Sequence, residues 1–277
     1  MNICKLIASF ILISCFSSIS QEQSRYKAFY QLDILRDTNT LEYFRQEIYI
    51  LQIGENVTKG FTYQKFYNDS LQAANPALWR KLFNASVQES MEAMRRTGDL
   101  TSVQNNEFTV GAFASDLYKD YRNNEIRVRD NISIHSFMYT DELKPQEWTI
   151  LSDTMTILGY TSQKAICHFR GRDWEAWFTP EIPISEGPWN FYGLPGLVTK
   201  LHDIQNHYSF ELTGFQVINE SIDIKIPTAT QKIERKEFLR TKYGEKGIRI
   251  SQADIDRIGI VNNAPVTRHY DPIERDY

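Results

Sequence analysis

The chain has little cysteine, no strong excess of charge, and no hydrophobic run after its first twenty residues that is long enough to cross a membrane. Three of its 277 residues are cysteine, and 31 Lys and Arg stand against 35 Asp and Glu, a net charge of −4. This mild acidity argues against a nucleic-acid-binding protein, which normally carries a basic face. No later segment approaches 18 consecutive apolar residues, so we expect no transmembrane span.

The shortage of cysteine excludes a disulfide framework. Cys4 and Cys15 lie in the first twenty residues, which leaves Cys167 alone. A single cysteine forms no intramolecular disulfide, and a chain of this size can rest on a hydrophobic core. His168 is adjacent, but neighbouring residues in a strand point to opposite faces. We therefore predict that Cys167 is a buried structural residue.

The first twenty residues are typical of an export signal. Lys5 supplies the positive charge, residues 6–16 form the apolar run, and residues 18–20, Ser-Ile-Ser, place small side chains before a cleavage site. We predict cleavage near Ser20–Gln21 and export to the periplasm or cell envelope. The alternative is a lipoprotein signal, in which Cys15 would be acylated.

The mature chain has the pattern of an antiparallel β protein, because short segments of alternating apolar and polar residues are separated by turn residues. It predicts strands over 26–35, 43–53, 57–67, 108–118, 125–139 (with a bulge or bend at Asp130–Asn131), 148–151, 153–160, 163–169, 173–178, 199–201, 208–215 and 216–226. Asn68-Asp69-Ser70 ends the first group. A helical insertion follows near 69–96, and a short C-terminal helix is expected over 231–243.

We therefore predict a mainly β (α+β) fold. Its core is one curled antiparallel sheet, or an open or closed barrel. The sequence has no internal repeat and no low-complexity linker, so residues 21–260 are expected to form a single domain. Residues 261–277 are polar and contain two prolines, and we expect them to form a loose tail.

A proline-rich segment leads into the most unusual stretch of the chain, Gly193-Leu194-Pro195-Gly196-Leu197-Val198. Four of the nine prolines lie within residues 180–195, so this segment cannot be a central strand. Gly193 and Gly196 can adopt positive φ without a Cβ clash. The stretch contains no nucleophile, base or metal ligand, and we predict a fixed structural turn that enters a strand.

These residues resemble the GLPGLI family, with Val198 in place of the final isoleucine. Residues 169–183 and 68–70 also resemble segments of that family, and the resemblance spans roughly residues 26–245. It implies an exported protein of a Gram-negative bacterium, with no agreed activity and no established catalytic residues. The family's genes are often found near outer-membrane receptors, which suggests an outer-membrane protein as a possible partner.

The most plausible ligand-binding patch consists of Arg170, Arg172, Trp174 and Trp177. Guanidinium groups bind carboxylate or phosphate through paired hydrogen bonds, and Trp faces stack on sugars or cations. The alternative is a hairpin in which an Arg–Asp pair lies on the surface and the Trp side chains belong to the core.

Metal and cofactor chemistry have little support. His202, Asp203 and His207 are suitable zinc ligands, but polar residues at a hairpin end are usually solvated and no HExxH pattern occurs. The GxSxG, P-loop and dinucleotide patterns are also missing. We expect neither a metal nor a cofactor.

The sequence leaves three functions open. The first is a noncatalytic component of the cell envelope that holds an apolar ligand in the curled sheet or docks onto an outer-membrane protein. The second is an unrecognised periplasmic hydrolase built on His168, Arg170, Asp173 and Glu175. The third is a structural lipoprotein tethered through Cys15. A continuous apolar cavity would favour the first, and a polar cleft with convergent carboxylates or histidines would favour the second.

Overall fold

One curled antiparallel sheet dominates the computed structural model of the chain, which describes residues 22–35, 44–97, 115–132, 135–227, 231–243 and 272–276. Twelve strands and three helices lie within these ranges. The predicted mainly β class is therefore confirmed. The export signal, with both of its proposed processing sites, lies outside the described residues.

The elements follow one another with short connections. They are β1 (Glu22–Leu35), β2 (Phe44–Ile53), β3 (Val57–Thr62), α1 (Tyr63–Ala74), α2 (Pro76–Thr97), β4 (Asp116–Asp120), β5 (Glu125–Ile132), β6 (His135–Glu142), β7 (Thr149–Ile157), β8 (Tyr160–Phe169), β9 (Arg172–Thr179), β10 (Leu197–Asp203), β11 (Tyr208–Ile224), β12 (Gln231–Lys232) and α3 (Arg235–Tyr243). The spatial order of the strands is β12-β6-β5-β4-β3-β2-β1-β11-β10-β9-β8-β7. Only β12 and β6 pair in parallel within these ranges.

The core lies on the concave side of the sheet, where β1 contributes alternate residues. Tyr30 and Leu32 are fully buried, and β1 pairs with both β2 and β11, so that Tyr30 lies opposite Tyr49 and Leu32 opposite Phe210. The Tyr49 and Phe210 rings meet edge to face at 5.4 Å. Each buried side chain of this size contributes about 1.5–3 kcal/mol through the hydrophobic effect.

The helical insertion predicted near 69–96 is present, but it begins earlier than expected. The strand predicted over 57–67 ends at Thr62, whose side chain caps α1 by accepting from the backbone N–H of Lys65. Asn68-Asp69-Ser70 lies inside α1 instead of ending a strand. The aromatic residues at 63, 66 and 67 favour a strand in the sequence, but the cap at Thr62 starts a helix in which Tyr63 and Tyr67 stack one turn apart.

Three strand predictions are corrected. Residues 125–139 form the two paired strands β5 and β6, and Asp130 and Asn131 pair in regular register with Phe137 and Ser136 instead of forming a bulge. The segments 148–151 and 153–160 belong mostly to the one strand β7, whose pairing with β8 shifts between Ile150 and Thr154. The segments 208–215 and 216–226 form the single long strand β11. The predicted strand over 108–118 is described only from residue 115.

Two predicted hairpins are confirmed. The β8–β9 hairpin turns at Arg170 and Gly171, both with positive φ. The β10–β11 hairpin turns near Asn206, which also has positive φ. Positive φ is easily adopted by Gly and Asn, so these turn residues were visible in the sequence.

The segment 180–196 forms no strand beyond an isolated bridge between Glu186 and Tyr192, as its prolines predict. It folds back onto the core, and Phe191 and Leu194 are almost fully buried. Gly193 and Gly196 have φ of +94° and +155°. A Cβ added to Gly196 would lie 2.1 Å from the carbonyl oxygen of Thr179. The expected structural turn is therefore confirmed.

The last described residues, 272–276, correct the expectation of a loose tail. Ile273 and Glu274 are 8% and 4% exposed, and the segment packs beside the β8–β9 turn and α3. Residues 261–271 and Tyr277 lie outside the described residues. Of the predicted C-terminal helix over 231–243, residues 235–243 are helical, whereas Gln231 and Lys232 pair with β6.

Cys167 is buried in β8, as predicted, and His168 points to the other face. Burial, with a smaller contribution from Asp173, raises the pKa of the thiol to about 12. The thiol is therefore neutral at pH 7 to 9, and the thiolate is the reactive form. We expect iodoacetamide to leave Cys167 unmodified in the folded protein and to modify it fully in denaturant, as measured by peptide mass spectrometry. Modification of the folded protein at the rate of a free cysteine would contradict this assignment.

Candidate functional site

A polar cleft of about 300 Å³ opens beside the β8–β9 turn. It lies between the end of β6, the turn itself and the loop that precedes the GLPGLV stretch. Its lining side chains are Ile126, Asp141, Glu142, Lys144, Phe169, Arg170 and Asn190. No helix within the described ranges combines the length and apolar character needed to cross a bilayer.

Asn190 forms the inner wall of the cleft and is 3% exposed. Gln146 holds its loop at two points, since its side-chain amide donates to the Asn190 carbonyl at 3.0 Å and its side-chain oxygen accepts from the Tyr192 N–H at 3.0 Å. Trp189, just before, has a φ of +52°. Asn190 is thus fixed in place, but its Oδ1 is buried without a hydrogen-bond partner among the described residues.

Arg170 forms the opposite wall. Its guanidinium group donates to Asp276 at 2.6 Å and also to Asp141, and it lies over the Phe169 ring. Burial works against the charged form of Arg170, but Glu274, Asp276 and Asp141 outweigh it and raise the pKa of the guanidinium. The terminal nitrogens are thus engaged, whereas Nε is buried with no partner in the described part of the chain.

Two polar groups, one an acceptor and one a donor, therefore remain unused in this cleft. A buried polar atom without a partner costs about 1–3 kcal/mol. The carboxylates nearby are already in use, because Asp141 is paired with Arg170 and Arg235, and Glu142 with Lys144. The described lining contains no serine, cysteine or histidine. The arrangement can bind a polar ligand but offers no nucleophile activated by a base.

The other three residues predicted to bind a ligand lie elsewhere. Arg172 is buried, with an ion pair to Asp203 at 2.8 Å. Trp174, two residues along the same face of β9, is 1% exposed and packs against Phe191 with ring centroids 4.6 Å apart. Both side chains are used within the core.

Trp177 lies on the opposite face of β9. Its indole N–H donates to Glu175 at 3.0 Å, and the Lys164 ammonium lies 5.6 Å from its ring. Of the four predicted residues, only Arg170 lines the cleft, and the structure does not bring the four together.

Asn190 and Phe169 complete the site and were not identified as site residues from the sequence. Asn190 is the one strongly polar side chain within Trp189-Asn190-Phe191-Tyr192, a signal that could have drawn attention to it. Phe169 lies immediately before the turn at Arg170.

The residues of the alternative hydrolase do not converge. His168 and Asp173 are 2.7 Å apart but both are largely exposed to solvent, at 69% and 72%. Glu175 is paired with Lys164. Because Asp173 and Glu175 share one face of β9, a His–Asp pair and a separate Lys–Glu pair decorate that strand instead of closing around a cavity.

The histidines of the β10–β11 hairpin also stay apart. His202 lies opposite Ser209 instead of His207, and Asp203 is engaged by Arg172. Burial lowers the pKa of His202, although Glu175 opposes this shift. Within the described ranges, no three His, Cys, Asp or Glu side chains are grouped closely enough to hold a metal ion.

Residues 171–200 match the model of a family described as "Protein of unknown function (Porph_ging)", which is the GLPGLI-type family. This confirms the suspected resemblance on the segment that runs from the β8–β9 turn through Asn190 into β10. Two structures of PNGF-II, in the C2 and P21 space groups, resemble the chain at 18% and 16% identity, with TM-scores of 0.44 and 0.43. Each match covers 79% of this chain, which spans about a third of their length, 32% and 33%. No curated protein matches.

Proposed function

We propose that this chain is an exported, noncatalytic binding protein of the cell envelope that holds a small polar ligand in the cleft. The observation that supports this most strongly is the pair of unpartnered buried atoms in its walls, Asn190 Oδ1 and Arg170 Nε. The resemblance to a family of exported proteins supports the compartment. Signal cleavage near Ser20–Gln21 remains part of the proposal.

The two atoms define the chemistry of the ligand. Oδ1 of Asn190 requires an N–H or O–H donor, and Nε of Arg170 requires an acceptor oxygen. An amide, or two neighbouring hydroxyl groups, offers both within one small group. Phe169 and Ile126 would contact the apolar side of such a molecule. The cleft volume is at the small end of the range of about 300–1,000 Å³ that is typical of ligand sites.

A polar ligand is favoured over the apolar ligand expected from the sequence. The concave side of the sheet is occupied by fully buried aromatic side chains, which include Tyr30, Tyr49, Phe178 and Phe210. A lipid-sized molecule would have to displace them from a close-packed core. Binding is favoured over hydrolysis because the cleft carboxylates are ion-paired with Arg170, Arg235 and Lys144.

Native mass spectrometry of the protein purified from the envelope of its host tests this proposal. We expect an additional mass below about 500 Da, consistent with the volume of the cleft, that disappears on denaturation. The same spectrum reads the N-terminus, which we expect at Gln21, whereas an acyl mass at Cys15 would correct the cleavage site. Bare protein would contradict the binding role and favour docking onto an outer-membrane protein.

Replacing Asn190 with leucine should separate binding from stability. The leucine keeps the side-chain size but removes the unpartnered oxygen, so we expect the bound mass to be lost while the melting temperature stays equal or rises. Arg170→Lys, which keeps the charge but removes Nε, should also weaken retention of the ligand. The matched control is Arg127→Lys, an ion-paired arginine on β5 outside the cleft. Retention of the same mass by the Asn190→Leu protein would place the ligand elsewhere.

A further inference from the structure

Residues 272–276, Pro-Ile-Glu-Arg-Asp, lie against the domain much as a bound peptide lies in a groove. The segment contains no helix or strand. Between α3 and this segment the chain has 28 residues, 244–271. The contacts that fix the segment come from the β8–β9 turn, the start of α3 and the loop at Trp189, all far away along the chain.

Three arginines define this groove, which we call the arginine groove: Arg170, Arg172 and Arg235. Arg172 donates to the Pro272 carbonyl from Nε at 3.1 Å and from Nη2 at 2.6 Å. Arg170 donates to Asp276 at 2.6 Å. A guanidinium group presents a rigid fork of donors, which suits carboxylates and carbonyls held in a fixed geometry.

Arg235, at the start of α3, binds both acidic residues of the segment. It donates to Glu274 at 3.1 and 2.5 Å and to Asp276. Burial works against the charge of Arg235, but the two carboxylates outweigh it and raise its pKa above the ordinary value. The other oxygen of Glu274 accepts from the indole N–H of Trp189 at 3.1 Å. Glu274 is thus enclosed by donors and is 4% exposed.

The backbone of the segment is recognised as well. The Arg275 N–H donates to the Arg170 carbonyl at 2.8 Å. At Gly171 an added Cβ would lie 2.9 Å from the Arg275 Cβ, so glycine permits this close approach. Ile273, the apolar residue of the segment, is 8% exposed.

We propose that the arginine groove is a recognition site for an extended acidic peptide, that the chain's own tail occupies it, and that a segment of a partner protein with the same chemistry takes its place. The required pattern is an apolar residue, then a carboxylate, any residue and a second carboxylate. Side-chain ion pairs of this kind carry specificity and depend on salt, whereas the sheet does not depend on the tail for any strand pairing. Arg170 belongs to both the groove and the cleft, which places the two sites side by side.

The test uses the full chain and an acetylated peptide of residues 272–277. In the Glu274→Gln/Asp276→Asn protein the tail has lost both carboxylates, so the groove is expected to accept the labelled peptide in a fluorescence anisotropy titration. The wild-type protein should bind at least about tenfold more weakly, since its tethered tail competes at a high effective concentration. Adding Arg235→Lys to the double variant should abolish binding, because lysine cannot form the forked contact.

A second measurement uses the wild-type protein and does not depend on the folding of any variant. Excess unlabelled peptide should displace the tail and accelerate hydrogen exchange at the Arg275 amide, without changing exchange in β1. A control peptide with Gln and Asn in place of Glu and Asp should do neither. The proposal is overturned if the peptide leaves the exchange of Arg275 unchanged, if the folded double variant binds no peptide, or if the control peptide binds equally well.

Discussion

Replacing Gly196 with alanine is expected to prevent the protein from folding stably. The new Cβ would lie 2.1 Å from the Thr179 oxygen and 2.6 Å from the Thr179 carbonyl carbon, and both are backbone atoms that cannot rotate away. The φ of +155° is also unfavourable for a residue with a Cβ. We expect a loss of more than about 4 kcal/mol, in the range that marks a severe structural conflict. Denaturant unfolding, or loss of protein from the periplasmic fraction, measures this effect.

Two further glycines serve as matched controls because their φ angles are similar to each other. Gly159 has a φ of +84° and no neighbouring atom within 4 Å, so alanine there should cost only the conformational term of about 1–2 kcal/mol. Gly193, with a φ of +94°, faces the Pro145 Cβ at 3.0 Å and should cost slightly more. The expected order of destabilisation is 196, then 193, then 159. A Gly196→Ala protein as stable as the Gly159→Ala protein would contradict the turn geometry.

Lys119→Met is the second substitution for which we expect a large effect. Lys119 is fully buried in β4, and its ammonium group donates to Glu186 at 2.6 Å and to the carbonyls of Gly187 and Phe191 at 3.0 and 2.9 Å. All three N–H groups are therefore used to hold the loop that carries Asn190. Burial lowers the pKa of Lys119, and Glu186 opposes this shift. Removing the ammonium leaves a buried carboxylate unpaired, which costs about 3–5 kcal/mol.

A double-mutant cycle separates the lost pair from the lost packing. Glu186 also accepts from Thr58 and from Tyr121, the latter at 2.7 Å. A neutral amide at this position can still accept from both hydroxyl groups, so Lys119→Met/Glu186→Gln should be destabilised by less than the sum of the two single variants. Urea unfolding of the four proteins measures the coupling. Strict additivity would show that the two side chains act independently.

Much of the sheet could be predicted from local signals. The turns at Gly171 and Asn206 were visible because their residues tolerate positive φ, and the prolines excluded a strand over 180–196. The segment 63–67 failed because its aromatic residues suit both a strand and an exposed helix, and the deciding cap at Thr62 is a single hydrogen bond. The position of β1 between β2 and β11 depends on pairing across nearly the whole domain, which no local pattern shows.

The candidate site was predictable only in part, for the same reason. Arg170 and Arg172 look equivalent in the sequence, but the first lies in the turn and reaches the cleft, whereas the second begins β9 and is buried against Asp203. The docking of residues 272–276 depends on ion pairs with residues far away along the chain, such as Arg170 with Asp276. The unsatisfied oxygen of Asn190 depends on the fixed position of its loop, which Gln146 and Lys119 hold from other strands.

The claim that the cleft is a ligand site is tested most directly by a crystal structure of the protein purified from its host envelope, without exchange into ligand-free buffer by denaturation. Our account predicts density for a small polar molecule in the cleft, with a donor about 2.7–3.2 Å from Asn190 Oδ1 and an acceptor at the same distance from Arg170 Nε. A cleft that holds only water, while a bound mass is located at another surface, would contradict it.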